Sequence, residues 1–205
     1  MFVTGAIRSQ GVGVDYALNV KAKKCFKEKK AIGAKAAELI NEGDTIILDS
    51  GSTTMEIAKN QGHFRELAVI TNALNIARQL AEFPNIKIIM PGGILRKKAL
   101  AMVGHSAEIA IRNYFCDKLF LGVDGIDPQY GISTPNVEEA HLNRIMIDIS
   151  REVVVVTDSS KFGKRRLALI TAMKKVHIVI TDPGISDSDK ELLINGGVKV
   201  VIAAL

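Results

Sequence analysis

Short apolar runs rich in β-branched residues recur along this chain, and stretches of helical period lie between most of them. The runs are 45–48, 68–70, 86–90, 118–122, 153–157, 176–181 and 198–203. Runs this short and this apolar suit strands that are covered on both faces. The helical stretches are 25–41, 53–60, 72–82, 104–114, 136–150 and 187–195. In the first of these, Phe26, Ile32, Ala36, Ala37, Leu39 and Ile40 form an apolar stripe that Asn-Glu-Gly closes. Alternation at this spacing predicts an α/β fold with a mainly parallel sheet. Right-handed crossovers then put helices on both faces. Residues 25–205 read as one domain. Residues 1–24, with Gly5, Gly11 and Gly13 and little apolar period, read as irregular linker.

In such a sheet, ligands bind beyond the carboxyl ends of the strands. The residues that follow the runs are therefore read together: 49–54, Thr71 and Asn72, 91–93, 123–127, 158–161, and Thr181 with Asp182. The strongest local signal is DTIILDSGSTTMEIA, residues 44–58. A strand ends at Asp49, a turn passes through Gly51, and a helix begins near Ser52. Free backbone N–H groups and the positive end of the helix dipole meet the hydroxyls of Ser52, Thr53 and Thr54, which is a phosphate-binding arrangement. The same residues also fit a helix merely capped by Ser52, with Glu56 as partner.

Two further segments end at the same edge. In GVDGIDPQYGISTPNVEEAHLNR, residues 122–144, Asp124 and Asp127 suit sugar hydroxyls and Thr134 and Asn136 suit helix caps. Glu138 and Glu139 fall in a first helical turn, where dipole compensation alone accounts for an acid. In VVVVTDSSKFGKRR, residues 153–166, Lys161 is placed either to neutralise a phosphate or to sit on the surface. Asp124, Glu138 and Lys161 are expected to share one cleft.

Several chemistries are excluded. No lysine follows a glycine loop as in a nucleotide-binding P-loop. Gly11-Val-Gly13 lacks a third glycine, since position 16 is Tyr. There is no G-x-S-x-G elbow. His63, His105, His141 and His177 lack metal-ligand spacing, and Cys25 and Cys116 match no zinc or redox pattern. No catalytic residue, metal or cofactor is therefore expected. With no long apolar run and no secretory leader, no membrane partner is expected and the cytoplasm is the expected location. Residues 21–35 carry seven lysines and one acid, Glu28. The cluster reads as the solvated face of a helix, with nucleic-acid contact as the alternative.

Ordered along the chain are Lys30-Ala-Ile-Gly33, LDSGSTT, ITN at 70–72, PGG at 91–93, LGVDGI at 121–126, STPNVEEA at 133–140, DSSKFG at 158–163 and ITD at 180–182. Each motif is weak alone. Their order and spacing resemble the effector-binding half of DeoR-family repressors over about 26–201. The resemblance implies a fold like that of ribose-5-phosphate isomerases and CoA transferases. It also implies a repressor of a carbohydrate-utilisation operon that senses a phosphorylated sugar without chemistry and is a homo-oligomer. Operator DNA would be met only through a winged helix-turn-helix module that these residues do not contain. Residues 1–24 would be the remnant of a linker behind that module, whose end Val3-Thr4-Gly5-Ala6 resembles.

The site implied comprises Asp49, Ser50, Gly51, Ser52, Thr53, Thr54, Thr71, Asn72, Gly92, Gly93, Asp124, Gly125, Thr134, Glu138 and Lys161. The alternative is a sugar-phosphate isomerase-like enzyme. Those isomerases carry a lysine and a glycine run after their paired aspartates, where this chain reads Ile132-Ser-Thr-Pro-Asn136. A general acid/base pair needs both partners in reach of the substrate, so the loss favours binding without turnover.

Overall fold

The computed structural model describes residues 11–205. The elements run α1 (Leu18–Lys23), α2 (Phe26–Ala37), β1 (Thr45–Leu48), α3 (Ser52–Ala58), β2 (Leu67–Thr71), α4 (Leu74–Leu80) and β3 (Ile86–Ile89). A hairpin, β4 (Ile94–Arg96) and β5 (Ala101–Val103), precedes α5 (His105–Ile111) and β6 (Cys116–Gly122). There follow β7 (Gly125–Asp127), β8 (Gly131–Thr134), α6 (Val137–Asp148), β9 (Ser150–Val156), β10 (Ala168–Thr171), β11 (Ile178–Thr181), α7 (Asp187–Asn195) and β12 (Lys199–Ile202).

The main sheet has seven strands in the order β12-β11-β9-β6-β1-β2-β3. All of its pairings are parallel. Side chains alternate across it with period two. Ile46, Leu48, Phe120, Val154 and Val156 face a core with Ile32, Ile57, Ile76 and Leu80 of α2, α3 and α4. Ile47, Leu119, Leu121, Val153 and Val155 face a second core with Ile111, Leu142, Met146 and Leu193 of α5, α6 and α7. Helices thus cover both faces, which is why the central strands read as unbroken apolar runs.

The main-sheet strands lie where the apolar runs predict them. The antiparallel additions were not anticipated: the β4–β5 hairpin and a small sheet in the order β10-β8-β7. Their strands are of three or four residues, too short to display a period. Of the expected apolar stripe only Phe26 departs, being half exposed; Ile32, Ala36, Ala37 and Ile40 are buried and Leu39 packs against the same core.

The expectation of irregular chain to residue 24 is corrected too, since 18–23 is helical. The Leu18 amide donates to the Lys98 carbonyl at 2.9 Å and Lys98 Nζ to the Asp15 carbonyl at 3.1 Å. This ties the segment to the hairpin turn. Gly5 and the motif at 3–6 lie outside the described residues. Among those described, no helix is long and apolar enough to cross a membrane, and no cluster of His, Cys, Asp and Glu is placed to hold a metal.

Candidate functional site

Three adjacent central strands, β1, β6 and β9, end side by side, and the chain after each turns into one cleft. β1 contributes Ser50, Gly51, Ser52 and Thr53; β6 contributes Gly122, Val123 and Asp124; β9 contributes Thr157, Asp158 and Lys161. Thr134 and Glu139 close it from β8 and α6, and Lys21 and Lys29 from α1 and α2. Its volume is about 40 Å³. Gly51 and Ser52 also border a neighbouring cavity of about 540 Å³ on the far side of α1.

The cations are organised around two carboxylates. Lys21 Nζ stands 2.6 Å from Asp124 Oδ2, and Lys161 Nζ stands 3.5 Å from Asp124 Oδ1. Burial works against the charged form of Asp124, but the two lysines outweigh it and hold its carboxyl below the usual range. Lys29 is 4% exposed. Its ammonium donates to the carbonyls of Lys21 at 2.5 Å and Lys24 at 2.6 Å and lies 4.0 Å from Asp158 Oδ2. Burial pushes its pKa down, against the pull of Asp158.

Asp158 shapes its own loop by accepting from the Ser160 amide at 3.2 Å and from the Ser160 hydroxyl. Asp182, from the end of β11, accepts from the Ser159 amide at 2.6 Å. The loop that presents Lys161 is therefore held from two sides.

The floor is acidic. Glu139 Oε2 accepts from Thr134 Oγ1 at 2.8 Å and Oε1 from Ser50 Oγ at 3.4 Å. Arg96 Nη2 lies 3.5 Å from the same carboxylate, and Arg96 Nη1 lies 3.2 Å from Asp15. Burial raises the Glu139 pKa, with Arg96 and Lys21 opposing. Asp49, 1% exposed, has no side-chain partner on either carboxylate oxygen among the described residues. Burial first, and then the charge of Glu139, push it well above the usual carboxylate range. The arrangement offers hydroxyls, backbone N–H groups and three ammonium groups to an anion. The carboxylates beside them suit polyol hydroxyls.

The description "DeoR C terminal sensor domain" belongs to the family model that matches residues 24–183. The chain belongs to that family. It is 40% identical to a putative aga operon transcriptional repressor of Escherichia coli O157:H7 over 85% of this chain and 65% of that protein. It therefore spans slightly less than two thirds of that relative. It is also 32% identical to the HTH-type transcriptional regulator GlpR of Haloferax volcanii, over 96% of this chain and 77% of that one. The HTH-type transcriptional repressor GlcR of Bacillus subtilis matches at 31% over 89% and 70%. Among solved structures, eIF2B delta from Chaetomium thermophilum aligns with a TM-score of 0.50 at 14% identity, over 71% of this chain and 52% of that one. At that identity the likeness is one of fold alone. Ribose 5-phosphate isomerase A from Methanocaldococcus jannaschii aligns with a TM-score of 0.48 at 17% identity, over 65% and 53%. The relatives are named as regulators and repressors, which favours the regulator over the isomerase alternative.

Within this DeoR sensor domain the expected residues divide. Ser50, Gly51, Ser52, Thr53, Asp124, Thr134 and Lys161 line the cleft. Asp49 lies beneath it. Glu138 does not join; it is exposed, and the buried acid is its neighbour Glu139. The first turn of α6 directs only one of the two inward, and Asn136 caps that turn by accepting from the Glu139 amide at 2.8 Å. Thr134 is not a cap but the partner of Glu139.

Thr54 turns away from the cleft, its hydroxyl donating to the Gly51 carbonyl at 3.1 Å. Thr71 and Asn72 lie at the neighbouring strand end, where Thr71 shapes the turn and Asn72 anchors the hairpin. Thr71 Oγ1 accepts from the Ala73 amide, and the Asn72 amide group donates to the Met102 carbonyl at 3.1 Å. Gly92 and Gly93 are outside the cleft as well. Gly93 lets the hairpin fold back, since a Cβ there would lie 2.7 Å from the Val103 carbonyl. Gly125 is buried, and a Cβ there would meet the Lys164 carbonyl at 2.4 Å, so it lets loop and sheet approach.

One local expectation changes. Gly51, not Ser52, is the N-cap of α3, and no side chain caps it. Its φ of −178° is open to any residue. The constraint at Gly51 is space, with Thr54 Oγ1 3.0 Å from where a Cβ would stand.

Lys21, Lys29, Arg96, Asp158 and Glu139 were not among the expected site residues. Lys29 had a readable signal. It lies one helical turn before Ile32 and Gly33, on the buried stripe, so the lysine cluster is not wholly a solvated face.

Proposed function

We propose that this domain senses a phosphorylated sugar in the cleft at the carboxyl ends of β1, β6 and β9, and does no chemistry on it. The observation that carries the reading is the convergence of the Ser50–Thr53 loop with Lys21, Lys29 and Lys161, from four separate elements, on one point. Free amides at the start of α3 and the loop hydroxyls would take phosphate oxygens, and the ammonium groups would neutralise them. Asp124 and Glu139 would hold sugar hydroxyls. The names of the relatives, an aga operon repressor, GlpR and GlcR, support a role in repressing carbohydrate-utilisation genes. In that role, operator DNA is met through a helix-turn-helix module, and the regulator acts as a homo-oligomer.

Thermal unfolding against hexose, hexosamine and pentose phosphates, inorganic phosphate and the unphosphorylated sugars tests this. A true effector at a hundredfold excess over its dissociation constant stabilises by about 2.7 kcal/mol. Equal shifts from the unphosphorylated sugars would remove the phosphate from the reading. Aldose–ketose interconversion at about 1 per second or faster would make the domain an enzyme.

A further inference from the structure

The family match begins at residue 24, yet the shortest ion pair in the cleft comes from before it: Lys21 on α1, 2.6 Å from Asp124. We propose that Lys21 is a ligand-contacting residue, and that the phosphate of the effector takes it from Asp124, so that α1 and the chain before it report whether the cleft is filled. This rests on the phosphate reading above.

Room is the first argument. A cavity of about 40 Å³ holds little more than water. Small-molecule sites usually measure about 300–1,000 Å³. Lys21, Lys29, Asp124, Asp158 and Lys161 also line a cavity of about 350 Å³. A sugar phosphate whose phosphate reaches the Ser50–Thr53 loop therefore either extends into that space past Lys21 or needs one wall of the cleft to yield. The loops after β1, β6 and β9 continue the central strands of the sheet, and Lys29 is buried. α1 is a six-residue helix with no buried residue. What holds it is polar: the Leu18 amide to the Lys98 carbonyl, the Lys29 ammonium to the Lys21 and Lys24 carbonyls, and the Lys21–Asp124 pair. With little apolar packing it is the wall that an anion competing for those lysines can move. Ala17, Leu18 and Ala22 on its other side line the cavity of about 540 Å³ that reaches the same Gly51 and Ser52. A shift of α1 therefore joins the two spaces into one of ligand size.

Charge is the second argument. Asp124 serves two lysines at once, at 2.6 and 3.5 Å. A phosphate dianion beside the Ser50–Thr53 loop competes for both with more charge and more acceptors. Asp15, three residues before α1, extends the linkage. It pairs with Arg96, which also faces Glu139. Effector binding thus changes the partners of groups on the N-terminal segment, which is the differential interaction a ligand needs to shift a conformational equilibrium.

Calorimetry on the 205-residue chain with inorganic phosphate and the same sugar-phosphate panel tests this, together with amide exchange over residues 17–24. The wild type should bind at least one probe, and exchange over 17–24 should change severalfold at saturation. Lys21→Met should lose about tenfold to hundredfold in affinity and the exchange response with it. Lys21→Arg should recover most of both, which a merely structural role for the methylene stem would not require. Asp124→Asn removes the competitor and should bind inorganic phosphate more tightly. Wild-type binding with Lys21→Met within twofold of it, or with exchange over 17–24 indifferent to saturating probe, overturns the proposal. A wild type that binds no probe removes the phosphate reading itself, and the proposal falls with it.

Discussion

The two ends of the main sheet carry similar residue types in different states of satisfaction. At the amino end, Lys118 from β6 pairs with Asp44 at 2.6 Å, and Asp117 accepts from the Thr45 amide at 2.9 Å. At the carboxyl end, among the described residues, neither oxygen of Asp49 meets a side-chain partner, Arg96 Nε has none, and Asp124 is shared by two lysines. A structural ion pair is closed, one partner for each charge. Leaving a buried polar atom unsatisfied costs about 1–3 kcal/mol. Gln61 and Asn143 carry such an atom elsewhere, but among the described residues the charged side chains that carry one, such as Asp49 and Arg96, are at the carboxyl end, which marks a place shaped by something other than stability.

The largest effect expected is on the scaffold beneath the carboxyl end. α2 and α3 meet at Gly33, where a Cβ would stand 2.5 Å from Glu56 Cβ and 2.7 Å from the Glu56 carbonyl carbon. That approach sets Lys29 of α2 against the loop that opens α3. Gly33→Val should cost about 3 kcal/mol by overpacking and should weaken phosphate binding as well, read from urea midpoints and calorimetry. A stable variant with normal affinity would mean that the two helices can separate without disturbing the site.

Next is Lys161. Lys161→Ala should lower affinity for the best sugar phosphate by about tenfold to hundredfold and leave the urea midpoint near the parent value. At the other end, Lys118→Ala should leave affinity unchanged and cost about 1–3 kcal/mol of stability, because it leaves the largely buried Asp44 without its cation. Equal affinities for the two variants would erase the distinction between the ends.

The sheet and the strand-end loops were legible because both follow from the local pattern. Covered strands must be apolar, and a glycine between a strand and a hydroxyl-rich turn has few uses. What could not be read was partnership across the chain. Lys21 and Asp124 are 103 positions apart, and no local pattern joins them. Arg96 arrives on a three-residue strand that shows no period. Asn72 and Gly93 have the composition of ligand-binding strand ends, but their partners lie in the hairpin and α5, and those contacts are tertiary.

A smaller effect, and of opposite sign at the two ends, is expected from neutralising an aspartate. Asp49 is buried with its pKa raised. Between the ordinary aspartate range and that raised value, the folded chain holds a proton that the unfolded chain has released, so stability falls as pH rises through that window. Asp49→Asn removes the loss and should raise the urea midpoint at neutral pH, by about 1–2 kcal/mol if one unsatisfied group is relieved. Asp44→Asn breaks a closed, largely buried pair and should lower stability by about 1–3 kcal/mol. Asp124 runs the other way from Asp49, because its lysines depress its pKa. Its contribution is present above the ordinary aspartate value and is lost as pH falls through the folded one.

The smallest effect separates two adjacent glutamates that composition cannot tell apart. Glu138 and Glu139 both sit in the first turn of α6, where a negative charge gains about 0.3–1 kcal/mol from the helix dipole. Glu138 is exposed and holds no ion pair with the other described residues, so Glu138→Gln should cost a few tenths of a kcal/mol and leave phosphate affinity within twofold. Glu139 meets Thr134, Ser50 and Arg96 in the cleft, and Glu139→Gln removes a charge that opposes an incoming anion. Inorganic phosphate should therefore bind more tightly to Glu139→Gln and equally well to Glu138→Gln. A severalfold change from Glu138→Gln would mean that the first turn of α6 rotates to bring the outer acid in, and that the acidic floor of the site is not confined to Glu139.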